Sequence, residues 1–199
     1  MQEQLESMPM PMRWLAPAAT WRAEGSTLEL GAHPRTDWFV DPCGLRDSVI
    51  DGAALVGDVS GDFVVRARVG VRFASTFDAG VLMLYASDAT WAKLCFELSP
   101  QREPMVVSVV TRGTSDDANG FVVAGGEVWL RIARMGSAFA FHASTDGMEW
   151  RLVRHFTLGS VAEVAVGFEA QSPMGEGCEV RFDEIRFEQR TLGDLRDGS

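Results

Sequence analysis

The chain has 199 residues, 46% of them hydrophobic and 23% charged, which suits one large all-β domain with a full core and excludes a disordered or fibrous chain. A formal net charge of −10 sets a mean field that repels phosphate backbones and anionic lipid, so neither nucleic acid nor membrane is expected as a partner. No window approaches the roughly 18 consecutive apolar residues of a membrane span, and Cys43, Cys95 and Cys178 lack the paired spacing of a zinc or redox motif, so no metal or cofactor is expected.

The opening MQEQLESMPMPM has two acidic residues, no early Lys or Arg and no apolar stretch. It fails as a secretory signal, which points to a cytoplasmic chain, and residues 1–12 read as a flexible leader. From Trp14 the pattern is strand-like, with residues 20–24 and 27–30 flanking the turn Glu24-Gly25-Ser26 as a first hairpin. GAHPRTDWFVDPCG, residues 31–44, holds two Pro, two Gly and two Asp and reads as a long loop. Of its Trp38 and Phe39, one is expected to plug the end of a sandwich and the other to offer a stacking surface.

Residues 53–56 form a short strand. Residues 63–73 alternate cleanly, with Arg66, Arg68 and Arg72 marking a wet outer face. Residues 77–87 are apolar on both sides, Val81, Met83 and Tyr85 against Leu82, Leu84 and Ala86, as in a strand at the centre of its sheet. A turn at Asp88-Ala89-Thr90 leads into WAKLCFELS. There Ala92, Leu94, Phe96 and Leu98 face one way and Trp91, Lys93, Cys95 and Glu97 the other. A Trp, a Lys and a Glu in one row carry more chemistry than a soluble surface requires; the plain alternative is a solvated ladder of ions. Lys93 beside Cys95 would favour a thiolate, against the usual fate of a free Cys as a buried thiol.

MVVSVVT, residues 105–111, is apolar apart from Ser108 and Thr111, and RGTSDDANG, residues 112–120, reads as a turn-rich loop. In it Ser115, Asp116 and Asp117 suit turn capping better than a hard-cation site. Residues 127–156 give three strands, with Asp146-Gly147 as the strongest hairpin signal. VAEVAVGFEAQSP sends Ala162, Val164, Val166, Phe168 and Ala170 inward and Glu163, Glu169 and Gln171 outward. The last strand changes parity between Phe182 and Ile185, which predicts a bulge near Asp183-Glu184. About a dozen short strands with no amphipathic helix predict a two-sheet antiparallel β-sandwich over residues 13–190, a jelly roll, followed by a flexible tail over 191–199.

Several stretches together resemble a known family: TDWF at 36–39, FDAGVLMLYASDATWAKLCFE at 77–97, VVTRGTSDD at 109–117, STDG at 144–147 and VGFEAQSP at 166–173. They resemble the regulation-of-enolase family, a domain family of unknown function with a concanavalin A-like lectin/glucanase fold, over about Trp14 to Phe187. The resemblance implies a sandwich of a kind that often holds carbohydrate, and it is silent on activity.

The residues therefore point first to a non-catalytic binding module for carbohydrate or another small polar ligand. Its expected ligand-binding residues are Asp37, Trp38, Trp91, Lys93, Glu97, Thr111, Ser115, Asp116, Arg131 and Glu169, since hydroxyls want donors and acceptors and a sugar ring wants an aromatic face. The alternative is a hydrolase using Glu97 as general acid or base. Retaining glycosidases need two carboxyl groups about 5 Å apart, and Ser99 and Gln101 stand where a same-strand partner for Glu97 would be. That leaves a carboxylate on another strand, such as Glu169. A third reading is a protein-interaction or regulatory domain, with a homo-oligomer as one form. His33, His142 and His155 are too scattered to form a metal site.

Overall fold

A computed structural model describes residues 2–161 and 163–199 and shows, among them, strands and no α-helix; the inward position expected of Ala162 lies outside the described residues. In chain order the strands are β1 (Gln2–Glu3), β2 (Met12–Ala16), β3 (Thr20–Glu24), β4 (Thr27–Gly31), β5 (Trp38–Phe39), β6 (Val49–Ile50), β7 (Ala53–Val59) and β8 (Phe63–Arg72). There follow β9 (Ala79–Ser87), β10 (Thr90–Leu98), β11 (Pro104–Arg112), β12 (Thr114–Val122), β13 (Glu127–Met135), β14 (Ala138–Ser144), β15 (Arg151–Thr157), β16 (Val164–Gln171) and β17 (Glu179–Glu188).

They form an eight-stranded sheet in the order β1-β2-β7-β16-β9-β10-β11-β12 and a seven-stranded sheet in the order β15-β14-β13-β8-β17-β4-β3, with β5 and β6 paired apart. Period-two alternation turns one face of each sheet toward the other. Leu55, Leu82, Leu94, Phe96 and Phe168 of the first meet Val65, Ala67, Leu130, Ile132, Phe141 and Phe182 of the second in one core. Phe168 meets Phe182 edge-on across the core at 5.1 Å. At Gly80 an added Cβ would stand 2.5 Å from Val180 and 2.7 Å from Val69, so a bare backbone is what lets the sheets close there.

The all-β sandwich and the bulge expected in the last strand are both present: pairing of β17 with β8 shifts between Asp183 and Arg186, and Glu184 has φ 51°. Three expectations are corrected. The segment read as a turn-rich loop is mostly β12, paired along its length with β11. As an edge strand whose side chains are mostly exposed, it needs no apolar face and shows no alternation. The leader is built into the sandwich, because β1 pairs with β2 and Leu5, Met8 and Met12 are buried in the core. The tail is seated as well, with Leu192 buried against Val64 and Ala133.

Candidate functional site

On β10 the side chains of Trp91, Lys93, Cys95 and Glu97 leave the core and rise on the outer face of the eight-stranded sheet. Cys95 stands opposite Val81 of β9, and Val81 opposite Glu169 of β16. Glu97 stands opposite Ala79, and Ala79 opposite Gln171. The polar rows of β10 and β16 are thus two strands, about 10 Å, apart, and long side chains reach over the small residues between them. Lys93 Nζ donates to Gln171 Oε1 at 2.7 Å and to Asp37 Oδ1 at 3.1 Å. Gln171 Nε2 in turn donates to the Phe77 carbonyl at 3.3 Å.

Residues 36–52 roof this face. Trp38 meets Trp91 and Tyr85 edge-on, at 5.7 Å and 6.0 Å, and its Nε1 donates to the Gly52 carbonyl at 2.8 Å. Val40 and Ser115 exchange two hydrogen bonds, Val40 N to Ser115 Oγ and Ser115 N to the Val40 carbonyl, each 2.9 Å. The Thr111 hydroxyl lies 2.9 Å from that of Ser115. Beneath the roof Trp38, Val81, Met83, Trp91, Cys95 and Val109 make a second apolar cluster. Gly52 lets the roof close: a Cβ there would stand 2.6 Å from Glu169 Oε1 and 2.8 Å from the Trp38 ring.

An ionic row is therefore enclosed in apolar surroundings. Lys93 is 2% exposed and Glu169 0%. Burial pushes the Glu97 and Glu169 carboxyls up to about 8, with Lys93 pulling both down against it. Burial works to discharge Lys93, but Asp37 foremost, then Glu169, Cys95 and Glu97, hold it above the ordinary ammonium value. For Cys95 burial outweighs the pull of Lys93 and drives the thiol well up, so the row does not activate it. Asp117, beside Val109 on β12, is raised too, by desolvation first.

Both carboxyl oxygens of Glu169 and the indole nitrogen of Trp91 are buried without a hydrogen-bond partner. Such atoms cost free energy unless a polar group reaches them. The rim is more open: Asp37 and Glu97 are half-buried and Asp117 is exposed.

Of the residues expected at a site, the structure brings together Asp37, Trp38, Trp91, Lys93, Glu97 and Glu169, with Thr111 and Ser115 under the roof. Trp38 and Trp91 are both buried, so neither is an open stacking platform. Arg131 is elsewhere: β13 belongs to the seven-stranded sheet, and Arg131 stands there between Arg66 and His142. Asp116 leaves the opposite side of β12 and pairs with Arg154 at 2.8 Å. Sequence reasoning missed Asp117 and Gln171 as members of the cluster. Asp117 is two residues from Ser115 and shares its face once 114–122 is a strand; Gln171 shares the outward row of Glu169.

No group of three or more His, Cys, Asp or Glu among the described residues is placed to hold a metal ion, and no helix among them is long and apolar enough to cross a membrane. A surface cavity of about 620 Å³ lies on the other sheet. Its charges cancel locally, Arg72 with Glu179 and Arg181 with Glu29.

Solved structures place this arrangement among known sandwiches. A functionally unknown protein from Saccharomyces cerevisiae is 25% identical with a TM-score of 0.83, over 90% of this chain and 97% of that one. The carbohydrate-binding module CBM66 from Bacillus subtilis is 16% identical with a TM-score of 0.54, over 88% of this chain and 94% of the module. A GH43 protein from Bacillus licheniformis is 13% identical with a TM-score of 0.69, over 86% of this chain but only 35% of its own. At such identities the last two share the fold alone. No curated protein matches the chain. Residues 14–190 match the family described as "Protein of unknown function (DUF1349)".

Proposed function

The chain belongs to the DUF1349 family, and from that premise we propose that it is a non-catalytic carbohydrate-binding module whose ligand is held on the outer face of the eight-stranded sheet. The observation that carries this reading is the set of buried, unpartnered polar atoms on Glu169 and Trp91, beside an ammonium fixed by Asp37 and Gln171. A sugar hydroxyl accepts and donates at once. The Trp91 N–H offers such a hydroxyl a donor, and the Glu169 carboxyl offers it an acceptor. Asp37, Glu97 and Asp117 at the rim supply further acceptors and donors, while Trp38, Thr111 and Ser115 hold the roof against the sheet. That a carbohydrate-binding module shares the fold is in keeping with this reading and leaves the ligand open.

Hydrolysis is the second reading, favoured by one observation: a Glu97 carboxyl raised to about 8 is in the state a general acid requires. Glycosidases also need a second carboxylate that stays ionised and free. Glu169 is raised equally, and Asp37 is engaged by Lys93 and by the Trp38 amide. The pair supplies hydrogen-bond donors and no nucleophile.

A glycan array probed with the folded protein, with Glu169→Gln and with Trp91→Phe tests the proposal. Binding by the parent protein that weakens in both variants is the expected result. A folded protein that binds no glycan would overturn it. A protein-interaction role, in which the Arg-rich outer surfaces bind another chain, would then be the reading to pursue.

A further inference from the structure

On the outer face of the seven-stranded sheet, His142, Arg131, Arg66 and Arg186 stand directly opposite one another across β14, β13, β8 and β17. Like charges in facing cross-strand positions repel, so three guanidinium groups in one row call for a counter-charge. Glu188 serves one end, pairing with Arg186 at 2.6 Å and with Arg190 at 2.7 Å. Arg66 has no ion pair within 4 Å among the described residues, and Arg131 is 3% exposed with Nε and Nη2 buried and unpartnered. The Arg131 guanidinium carbon stands over Trp150, 4.2 Å from the ring centroid, a cation–π contact that helps hold it in place.

Arg66, Arg131, Arg186 and Arg190 line a cavity of about 370 Å³ together with two side-chain carboxylates, Glu188 and Asp197, and with Ser199, so its side-chain cations outnumber its side-chain anions. Asp197, Gly198 and Ser199 at the end of the tail, with Val64, Met148 and Trp150, form its remaining wall, and the residues before them seat the tail. Thr191 Oγ1 donates to Asp62 Oδ2 at 2.6 Å, His142 Nε2 donates to the Leu195 carbonyl at 2.6 Å, and Leu192 and Leu195 join Val64 and Ala133. Gly198, at φ +77°, comes so close to the Arg131 guanidinium that a side chain there would overlap it. Asp197 spends a carboxylate oxygen on the Ser199 amide and makes no ion pair with the row.

We propose that this cavity binds a tetrahedral oxyanion, phosphate itself or the phosphoryl group of a small organic molecule, with Arg131 and Arg66 as its direct donors. The guanidinium fork matches two oxygens of such a group, and the cavity has the size of a small-ligand site. Burial foremost, then Arg190 and Arg66, lower Arg131 to about 10, the direction expected where cations crowd without a sufficient counter-charge. The site is on the sheet opposite the roofed cluster and does not depend on that cluster's ligand.

Calorimetric titration of the full chain with inorganic phosphate, at ionic strength matched with chloride, is the test, with glucose 6-phosphate as a second probe. The expected result is saturable phosphate binding that weakens by about tenfold or more in Arg66→Gln, a half-buried position whose loss leaves the core intact, and stays unchanged in Arg72→Gln, an exposed arginine of the same sheet outside the cavity. Tighter binding of glucose 6-phosphate with the same Arg66 dependence would support an organic phosphate, and equal binding would support phosphate alone. Heats indistinguishable from chloride, or equal affinity in Arg66→Gln, would overturn the proposal. Arg131→Lys adds a second reading of the same row, with its melting transition followed in parallel.

Discussion

The exposed ion pairs of the seven-stranded sheet and the roofed row of the eight-stranded sheet treat charge oppositely. On the seven-stranded sheet Arg72 and Glu179 pair while 82% and 69% exposed, and Arg181 is shared by Glu29 and Asp183. Water does most of the solvation there, and each pair adds little. On the eight-stranded sheet Lys93 and Glu169 lie under a roof, where the same kind of row must satisfy itself. The lesson is that alternation identifies an outward row, whereas a separate loop, here residues 36–52, decides whether that row meets water.

Removing the enclosed cation should break the contrast most visibly. Lys93→Met strips Asp37 of its partner and leaves two further carboxyls without a cation, and we expect a loss of about 3 to 5 kcal/mol in urea unfolding. A loss no larger than that of a surface charge would show that the roof is not closed. Trp38→Ala comes next, at about 3 kcal/mol, because Trp38 joins the roof to Trp91 and Tyr85; hydrogen exchange across β10 should accelerate in parallel, and unchanged exchange would contradict the role given to the roof.

The two faces also titrate in opposite senses. Glu97 and Glu169, ordinarily near 4.5 and held at about 8, keep protons in the folded chain that the unfolded chain releases. Their contribution is full below pH 4.5 and is lost as pH rises to 8, by up to about 1.4 kcal/mol per pH unit for each carboxyl. His142 is lowered by burial from 6.5 to about 4, so its share is full above pH 6.5 and is lost on acidification toward 4. Between pH 6.5 and 8 only the contribution of the carboxyls in this opposed set still changes with pH. Glu169→Gln should roughly halve the slope of stability against pH in that interval, measured by urea unfolding at half-unit steps; an unaltered slope would deny Glu169 its proton. The smallest effect belongs to the open face: Arg72→Gln should shift stability by no more than about 0.5 kcal/mol.

How far the sequence is legible follows the same division. The row Trp91, Lys93, Cys95 and Glu97 is readable because alternation is local, and so is the central place of β9, apolar on both sides. The partners of Lys93 are not readable: Asp37 and Gln171 are 56 and 78 residues away along the chain, and no short-range pattern links them. Arg131 shows why an outward row is ambiguous, since period two gives a face without saying which sheet. The segment 112–120 looks like a loop because an edge strand wet on both faces has no apolar row to betray it. The opening Met and Pro residues look loose in sequence, yet Leu5 and Met8 are core residues, which only the docking of β2 beside β7 explains.

That edge strand has a consequence for assembly. Beyond Ser115, whose amide is taken by the Val40 carbonyl, the free side of β12 offers unpaired backbone groups, the usual template for a strand from another molecule. Along it Asp116, Asp117 and Asn119 are exposed, and an added strand would have to strip water from two adjacent carboxylates to lie flat. This polar edge strand thus acts as a guard rail, opposing sideways growth of the eight-stranded sheet at β12.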